Sequence, residues 1–368
     1  MVALGGKGGG RPKVEPLLSI DQLRVNFYTH AGTVHAVRGA SFEVREGETL
    51  ALVGESGCGK SVTALSIMRL VPHPGRIDGG TIRFAGKELT ALSPREMERV
   101  RGAEIGMIFQ DPMTSLNPTM TIGQQIAEPL RKHKGMGPKE ALDRAAEILA
   151  MVGIPNPRTR LAQFPHEMSG GMRQRVMIAM AIACEPHLLI ADEPTTSLDV
   201  TIQAQILELM KGLQEKLGMA ILLITHDLGV VARLADRVVV MYAGQVVEQA
   251  GVDELYYHTL HPYTRALMRS VPNPEAGVRQ ELEAIAGSPP DLYQEPPGCP
   301  FAPRCSRVLE VCRSYAPPFF EAGPEHVSAC WLLDPRAGRW GKDFLATSPR
   351  PYAEAAASPK TPDQEVEA

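Results

Sequence analysis

The chain has 368 residues, of which 44% are hydrophobic and 22% charged, and its formal net charge at neutral pH is −4. Its length corresponds to roughly two or three globular domains. The slightly acidic charge gives no electrostatic reason to expect a nucleic-acid partner. No apolar run reaches the ~18 residues that a membrane-spanning helix needs.

The two ends of the chain are predicted to be unstructured. Residues 1–17 lack an apolar core followed by a cleavage site, so we predict a disordered N-terminus and not a signal peptide. Residues 346–368 are rich in proline and alanine and predict a flexible tail. A chain without an export signal is expected in the cytoplasm, where thiols stay reduced.

The strongest local signal is a short strand followed by a glycine-rich loop. The apolar run 50–53 predicts a buried strand, and GESGCGKS after it has the pattern G-x-x-x-x-G-K-[ST] of a phosphate-binding loop, or P-loop. Its backbone N–H groups would surround phosphates at a helix N-terminus. Lys60 is expected to reach the β- and γ-phosphates, and Ser61 to hold Mg²⁺. The predicted nucleotide-binding residues are Gly54, Glu55, Ser56, Gly57, Cys58, Gly59, Lys60, Ser61 and Val62.

Cys58 allows two interpretations. A thiol close to a helix N-terminus is a candidate reactive group. The simpler interpretation is a small side chain that fills space while its backbone serves the loop.

Two later apolar runs end in polar residues suited to phosphate chemistry. PHLLIADEP carries Asp192, which suits a water-mediated Mg²⁺ contact, and Glu193, which suits a general base for an attacking water. MAILLITHD ends at His226, at the sheet edge where ligands bind in parallel α/β proteins. An ordinary acidic strand end and a structural histidine are the alternatives.

Two runs with helical spacing of apolar residues predict amphipathic helices. The second, DVTIQAQILELMKGLQEKLG, is predicted to face the core and to end at Gly218. The first, PKEALDRAAEILAMVGI, has its apolar positions at Leu142, Ala145, Ala146, Leu149 and Val152.

A second phosphate-binding pattern precedes another helical run. Ser169 is a good helix N-cap, and Gly170 and Gly171 leave backbone N–H groups uncovered. One P-loop serves the chain's own nucleotide, so this second element is predicted to contact the nucleotide of another subunit.

With these motifs in this order, residues 18–255 resemble the ATP-binding subunits of ABC transporters. SGGMRQR is similar to their signature motif, with Met172 in place of the usual glutamine. Gln110 matches the Q-loop, Asp199 in TSLD the D-loop, and His226 the switch histidine. The resemblance implies ATP and Mg²⁺ as cofactors and an ATPase that works as a head-to-tail dimer. In that dimer Ser169 and the two glycines would complete the P-loop of the partner.

The resemblance also implies a fold and a set of roles. The expected fold is α/β, a P-loop NTPase (RecA-like) core with an antiparallel β subdomain and a helical signature subdomain at 111–185. A proline- and cysteine-rich extension, irregular in structure, is expected at 256–345. The implied catalytic residues are Glu193, His226, Gln110 and Lys60, and the implied Mg²⁺ contacts are Ser61, Gln110 and Asp192.

The aromatic residue that stacks on adenine is implied to come from the first β-hairpin. Phe27 and Tyr28 are both candidates there, and Tyr28 is preferred. Side chains alternate along a strand, so the two rings are predicted to lie on opposite faces, and one of them belongs to the core.

Longer stretches resemble the ATPases of dipeptide and oligopeptide importers, with nickel importers as near relatives: MIFQDPMTSLNPTMTIGQQIAEPL and HPYTRALM. The implied partners are a second, related ATPase chain, two permease subunits and an extracytoplasmic binding protein, with no nucleic acid. The implied location is peripheral, on the cytoplasmic side of the cell membrane. An exporter and an ABC ATPase of DNA repair or translation are the alternatives, but the long coiled-coil insertion and second cassette of the latter are missing.

Four of the six cysteines lie in the extension, spaced by 5, 6 and 17 residues. In a reduced compartment such a group favours metal over disulfides. The spacing lacks the close pairs of zinc sites and the short runs of ferredoxins, so it does not choose a metal, and unrelated buried cysteines are a further alternative. The importer resemblance implies a [4Fe-4S] cluster, with structural Zn²⁺ second, held by Cys299, Cys305, Cys312 and Cys330.

Overall fold

The structure is a computed structural model that describes residues 15–111, 115–196, 198–270 and 285–346. Nearly all of the predicted flexible tail and most of the predicted disordered N-terminus lie outside these ranges. Where the two overlap, Leu17 is 7% exposed and packs into the core, so the prediction of disorder through residue 17 is wrong at its end.

One sheet has four strands that pair antiparallel. In side-by-side order its strands are β2 (Gly32–Val44), β1 (Leu18–Thr29), β4 (Gly75–Phe84) and β5 (Lys87–Glu88). Alternate residues of β1 point into the core, as expected of a sheet with one solvated face.

The second sheet has eight strands, and five adjacent ones are parallel. These five are almost continuously apolar because helices cover both faces of a parallel sheet. In side-by-side order they are β9 (Arg237–Tyr242), β3 (Thr49–Val53), β8 (Ala220–Thr225), β7 (Leu188–Asp192) and β6 (Ile105–Ile108). The carboxyl ends of these strands meet at one edge, which positions the residues that follow them.

Helices pack on this sheet and build a separate bundle between β6 and β7. The helices of the cassette outside the bundle are α1 (Lys60–Ile67), α2 (Pro94–Val100), α7 (Val200–Leu217) and α8 (Leu228–Leu234). The bundle contains α3 (Ile122–Lys134), α4 (Pro138–Met151), α5 (Pro157–Arg160) and α6 (Gly170–Ile182). It lies within the range predicted for the helical subdomain.

The helix predictions are right about position and wrong about one residue of the buried face. α7 ends at Gly218, which has φ 65° as a left-handed C-cap. In α4, Leu142 is 40% exposed, whereas Ala141 and Ile148 are buried. Ala145, Ala146, Leu149 and Val152 are buried as the periodicity predicted, so the prediction is wrong at Leu142 alone.

The C-terminal extension is more regular than predicted. Two strands, β11 (Phe320–Gly323) and β12 (His326–Ser328), form a hairpin, and β12 pairs with β10 (Gln245–Gly251) at the edge of the main sheet. Four short helices accompany them: α9 (Val252–Tyr257), α10 (Pro262–Arg269), α11 (Val311–Ser314) and α12 (Arg339–Ala346). None of the helices in the described ranges has the length and apolarity needed to cross a membrane.

Candidate functional site

The P-loop joins the end of β3 to the start of α1. Gly54 has φ 152°, and a Cβ atom there would lie 2.2 Å from the carbonyl oxygen of Met241, so the position requires glycine. The Lys60 ammonium donates to the carbonyl oxygens of Gly54 (2.8 Å) and Glu55 (3.0 Å). The loop therefore curls around the lysine that its motif assigns to the phosphates.

Cys58 faces into the protein from this loop and is 5% exposed. Burial raises the pKa of its thiol, and the nearby Lys60 ammonium only partly opposes this effect. A protonated, enclosed thiol is a poor nucleophile, which agrees with Cys58 as a small filler.

Ser61 and Asp192 meet at the edge of the sheet, although 131 residues separate them. The hydroxyl of Ser61 donates to a carboxylate oxygen of Asp192 at 3.0 Å. Burial raises the pKa of Asp192, and the hydrogen bond from Ser61 opposes that rise. A hydroxyl beside a carboxylate offers the oxygen ligands that Mg²⁺ prefers, so the pair fits the predicted cation.

Glu193 receives side-chain contacts from three other elements of the site. One carboxylate oxygen accepts hydrogen bonds from Gln110 Nε2 and from the Thr196 hydroxyl, both at 2.9 Å. The other oxygen lies 3.1 Å from His226 Nδ1. Burial alone would raise the pKa of Glu193, but the hydrogen bonds from His226 and Thr196 outweigh it and lower the pKa. The carboxylate is thus ionised and held in one orientation.

His226 and Gln110 reach Glu193 from the ends of the two strands that flank β7 in the sheet. His226 follows the last residue of β8, and its side chain is 61% exposed. Gln110 comes two residues after β6. The parallel sheet therefore brings together Gln110, Glu193 and His226; strand-end placement was predicted for Glu193 and His226, whereas Gln110 was implied by the family resemblance.

The signature serine and the D-loop aspartate are helix N-caps. Ser169 Oγ accepts the backbone N–H of Met172 at 3.4 Å at the start of α6. Asp199 accepts the backbone N–H of Ile202 at 2.9 Å at the start of α7. Within the described part of the chain, neither side chain is hydrogen-bonded to the P-loop. Both side chains therefore serve their own helix starts, while Gln174 of α6 donates to the carbonyl oxygen of Pro194, next to Glu193, at 2.6 Å.

The two candidate adenine-stacking aromatics lie on opposite faces of β1, as strand alternation predicted. Phe27 is partly buried and packs against the core beneath the antiparallel sheet. Tyr28 is 47% exposed, its hydroxyl donates to Asp78 at 2.7 Å, and the Arg76 guanidinium lies 5.6 Å from its ring centre. The choice of Tyr28 for adenine stays a prediction.

Sequence reasoning missed two residues of the site. The Thr196 hydroxyl donates to the carboxylate of Glu193. A hydroxyl three residues after an acid in a tight turn is the local signal that could have identified it. The hydroxyl of Tyr263 in α10 accepts the backbone N–H of Glu55 at 2.8 Å. Nothing in the local sequence around Tyr263 indicates a contact with the P-loop.

The four cysteines of the extension converge on one small apolar cavity, called here the cysteine cavity. They come from separate short elements, and all six cysteines of the chain are free thiols. Burial raises the pKa of Cys299 and of Cys305 to about 11. Within the described ranges, no three histidine, cysteine or acidic side chains are placed to hold a metal ion. The predicted metal site is therefore not confirmed. The cavity is lined by Cys299, Cys305, Cys312 and Cys330.

Comparison with known sequences identifies both parts of the chain. Residues 37–196 match the family model described as ABC transporter, and residues 247–312 match that of the oligopeptide/dipeptide transporter C-terminal region. The oligopeptide transport ATP-binding protein OppD of Bacillus subtilis is 56% identical over 326 residues, 88% of this chain and 91% of that protein. The dipeptide transport ATP-binding protein DppD of the same organism is 54% identical, covering 88% and 97%.

Solved structures confirm the predicted α/β fold with its P-loop NTPase core. A dimeric ATP-binding cassette in a post-hydrolysis state, bound to ADP and Pi, superposes with a TM-score of 0.58 at 27% identity, covering 64% of this chain and 98% of that one. Part of an ABC transporter complex from Clostridium perfringens, cbiO1, gives a TM-score of 0.57 at 29% identity, covering 66% and 91%.

Proposed function

This chain belongs to the ABC transporter ATP-binding proteins of the oligopeptide and dipeptide family, and on that basis we propose that it drives uptake of short peptides across the cytoplasmic membrane. It is an ATP-hydrolysing transporter subunit. The observation that carries the peptide assignment is the 56% identity to an oligopeptide transport ATPase, together with the match of residues 247–312 to that family's C-terminal region.

ATP binding is assigned to the P-loop between β3 and α1. Its backbone N–H groups and Lys60 would bind the phosphates, as the motif requires. Mg²⁺, which supplies charge neutralisation on the phosphates when bound, would be held by Ser61 and Asp192 with Gln110 nearby. The hydrogen bond between Ser61 and Asp192 supports this, since it brings the two oxygen donors to one point.

Hydrolysis is assigned to the cluster around Glu193. The ionised carboxylate would accept a proton from the water that attacks the γ-phosphate. Gln110 and His226 hold that carboxylate and would orient the water and contact the phosphate. Most of the rate enhancement comes from such positioning, because phosphoryl transfer requires little covalent chemistry.

The working unit is proposed to be a head-to-tail pair with a second, related ATPase chain. Each P-loop would be completed by the signature residues of the other chain, here Ser169, Gly170 and Gly171. The place of Ser169 at the start of a helix outside the P-loop supports that arrangement, as does the dimeric form of the structural relative bound to ADP and Pi. Two permease subunits and an extracytoplasmic binding protein complete the proposed complex, which places this chain peripherally on the cytoplasmic side of the membrane.

Peptide uptake by cells tests the substrate class. In a strain lacking this chain, the wild-type chain should restore uptake of labelled dipeptides or oligopeptides and leave nickel uptake unchanged. The Glu193→Gln variant should restore uptake of neither dipeptides nor oligopeptides. Restored nickel uptake without peptide uptake would favour the nickel-importer alternative and overturn the peptide assignment.

The four cysteines are proposed to hold a [4Fe-4S] cluster, with structural Zn²⁺ as the alternative. The convergence of four thiols on the cysteine cavity supports a thiolate-bound metal, since soft sulfur ligands are typical of both. The group would staple the extension, which buries little apolar surface of its own: its separate apolar cluster is centred on Cys330, Leu332 and Phe344.

Anaerobic purification of the full chain distinguishes the two metals. The cluster predicts a brown protein with about four iron and four acid-labile sulfide per chain. One zinc per chain in a colourless sample would refute the cluster and favour the zinc site. A metal-free, fully folded chain would overturn both.

A further inference from the structure

We propose that Arg304, in the C-terminal extension, is a positioning residue for the P-loop: it holds the carboxylate of Glu55 and thereby sets the backbone that surrounds Lys60. The inference deepens the proposed function, because it rests on the P-loop as the ATP site. It gives the extension a direct influence on nucleotide binding by the cassette.

The guanidinium of Arg304 uses all of its donors. Two nitrogens form a forked pair with the two carboxylate oxygens of Glu55, at 2.7 and 2.9 Å. The remaining donors go to the carbonyl oxygens of Ile285 (3.1 Å) and Ala286 (3.0 Å) and to the hydroxyl of Tyr242 (3.2 Å). The Arg304 side chain is only 4% exposed. Forked arginine–carboxylate pairs in such surroundings are directional, so Arg304 fixes the orientation of Glu55.

Glu55 transmits this restraint into the phosphate-binding loop. Its backbone N–H donates to the Tyr263 hydroxyl (2.8 Å), and its backbone carbonyl accepts from the Lys60 ammonium (3.0 Å). The residue is thus held at its side chain by Arg304 and at its backbone by Tyr263. Both partners come from the part of the chain beyond residue 255. A shift of Glu55 would move a carbonyl that contacts the lysine assigned to the phosphates.

The position of Arg304 is in turn set by the cysteine segment. Arg304 ends a short 3₁₀ turn, Ala302–Arg304, that lies between Cys299 and Cys305. The backbone of Cys299 donates to the carbonyl oxygen of Cys312 at 2.8 Å, and Ala302 donates to that of Cys299 at 3.0 Å. The segment that lines the cysteine cavity therefore carries the guanidinium to the P-loop.

A second ion pair between cassette and extension offers a matched control. Arg45, beyond the end of β2, pairs with Glu325 in the turn between β11 and β12. Their side chains are 46% and 48% exposed, and neither residue belongs to the P-loop. Removing this pair tests the effect of weakening the attachment of the extension without touching the nucleotide site.

The test compares ATP affinity and turnover in Arg304→Ala, Arg304→Lys, Glu55→Gln, the double variant Arg304→Ala/Glu55→Gln, and Arg45→Ala. Binding of a fluorescent ATP analogue is measured on the purified full chain, and KM and kcat on the assembled transporter. Arg304→Ala and Glu55→Gln should each raise the Kd about tenfold, and the double variant should raise it no further. KM should rise while kcat changes less than about twofold. This pattern is expected when the lost interaction stabilised the bound substrate and the transition state equally. Arg304→Lys keeps the charge without the fork and should fall between wild type and Arg304→Ala.

Three results would overturn the proposal: wild-type affinity in Arg304→Ala, independent effects that multiply in the double variant, or an equal loss of affinity in Arg45→Ala. If Arg304→Ala does not fold, Glu55→Gln decides, since unchanged affinity there removes the link to the P-loop. A wild-type chain that binds no ATP would instead refute the proposed function, so the two failures are distinguishable.

Discussion

The carboxylate of Glu193 collects contacts from three places in the chain: Gln110 after β6, Thr196 in the next turn, and His226 after β8. Burial alone would raise its pKa, but the hydrogen bonds from His226 and Thr196 keep the pKa below the ordinary value. Because a lowered folded-state pKa favours the ionised form, the interactions stabilise the fold above the unfolded pKa of the carboxylate. That stabilisation is lost as the pH falls through the folded value.

Replacement of Glu193 by glutamine should remove the proton acceptor and keep the shape of the site. We expect kcat for ATP hydrolysis to fall by about 10²–10⁴-fold, the range that general-base catalysis contributes, with ATP binding retained. Phosphate release by the reconstituted complex and nucleotide retention measure the two effects. Glu208→Gln, on the exposed face of α7, is the control and should behave as wild type. Normal phosphate release by Glu193→Gln would remove the base assignment.

At this scale, spacing along the chain predicted the candidate residues whose roles depend on local motifs. Lys60, Ser61 and the acid pair at the end of β7 belong to short patterns with a mechanism attached. Arg304 and Tyr263 were not predicted because their partner, Glu55, is 249 and 208 residues away. A forked ion pair at that separation leaves no periodicity or spacing to detect.

The N-caps of α6 and α3 allow a comparison between two serine or threonine side chains that start helices. Ser169 caps α6 and Thr121 caps α3, each accepting the backbone N–H three residues later. Loss of either cap should cost about 1 kcal/mol of unfolding free energy. Only Ser169 is assigned to a partner's nucleotide, so the two losses should differ in function.

Ser169→Ala should reduce ATP turnover by the assembled complex at least tenfold, whereas Thr121→Ala should keep most of it. The physical reason is that both variants lose one capping bond, but only Ser169→Ala loses a hydroxyl that we propose contacts the partner's nucleotide. Urea unfolding and phosphate release are measured on both. Equal turnover in the two variants would show that the serine acts as a cap alone.

A buried glutamate fastens the extension to the edge of the main sheet. Glu248 in β10 is 0% exposed and accepts the backbone N–H groups of Leu260 (2.7 Å) and His261 (3.1 Å). His326 Nε2 from β12 lies 2.9 Å from the same carboxylate. These contacts join β10, β12 and the start of α10 at one point.

Glu248→Ala should lower the unfolding free energy by about 3–5 kcal/mol, because it leaves three buried polar groups without their partner. Glu98→Ala is the matched control: its side chain is 59% exposed and pairs with Lys132, and such surface pairs contribute about 0–1 kcal/mol. Urea unfolding of both variants gives the comparison. Similar losses would mean that the network around Glu248 contributes little.

At the scale of elements, the sequence predicted the strands that are buried along their whole length. The strands β3, β7 and β8 are short apolar runs, and such runs are readily recognised in the sequence. The pairing of β12 with β10 was missed because β12 has only three residues and too little pattern to register as a strand. The exposure of Leu142 in α4 was missed because leucine at helical spacing counts as buried in a sequence pattern, while only packing shows that this one is exposed.

At the scale of the whole molecule, the P-loop lies between β3 and α1 and the signature element starts α6, and in the part of the chain that the structure describes the Ser169 side chain makes no hydrogen bond to the P-loop. The cluster around Glu193 sits at the carboxyl edge of the parallel sheet, whereas Ser169 starts α6 in the helical bundle. A second chain in head-to-tail orientation would supply the missing phosphate contacts at each site. ATP would then lie between the two chains, and its hydrolysis would release them.

Association with the related ATPase chain should therefore depend on ATP. For the 39.9 kDa chain carrying Glu193→Gln, light scattering after gel filtration should give the summed mass of both chains with ATP and the separate masses without it. Adding Ser169→Ala should weaken this association, since the partner's nucleotide loses a contact, and Arg45→Ala should leave it intact. Stable association without nucleotide, or none with it, would contradict a nucleotide-bridged pair. In that case the signature element would need another role, and the coupling of hydrolysis to transport would have to pass through the permease contacts alone.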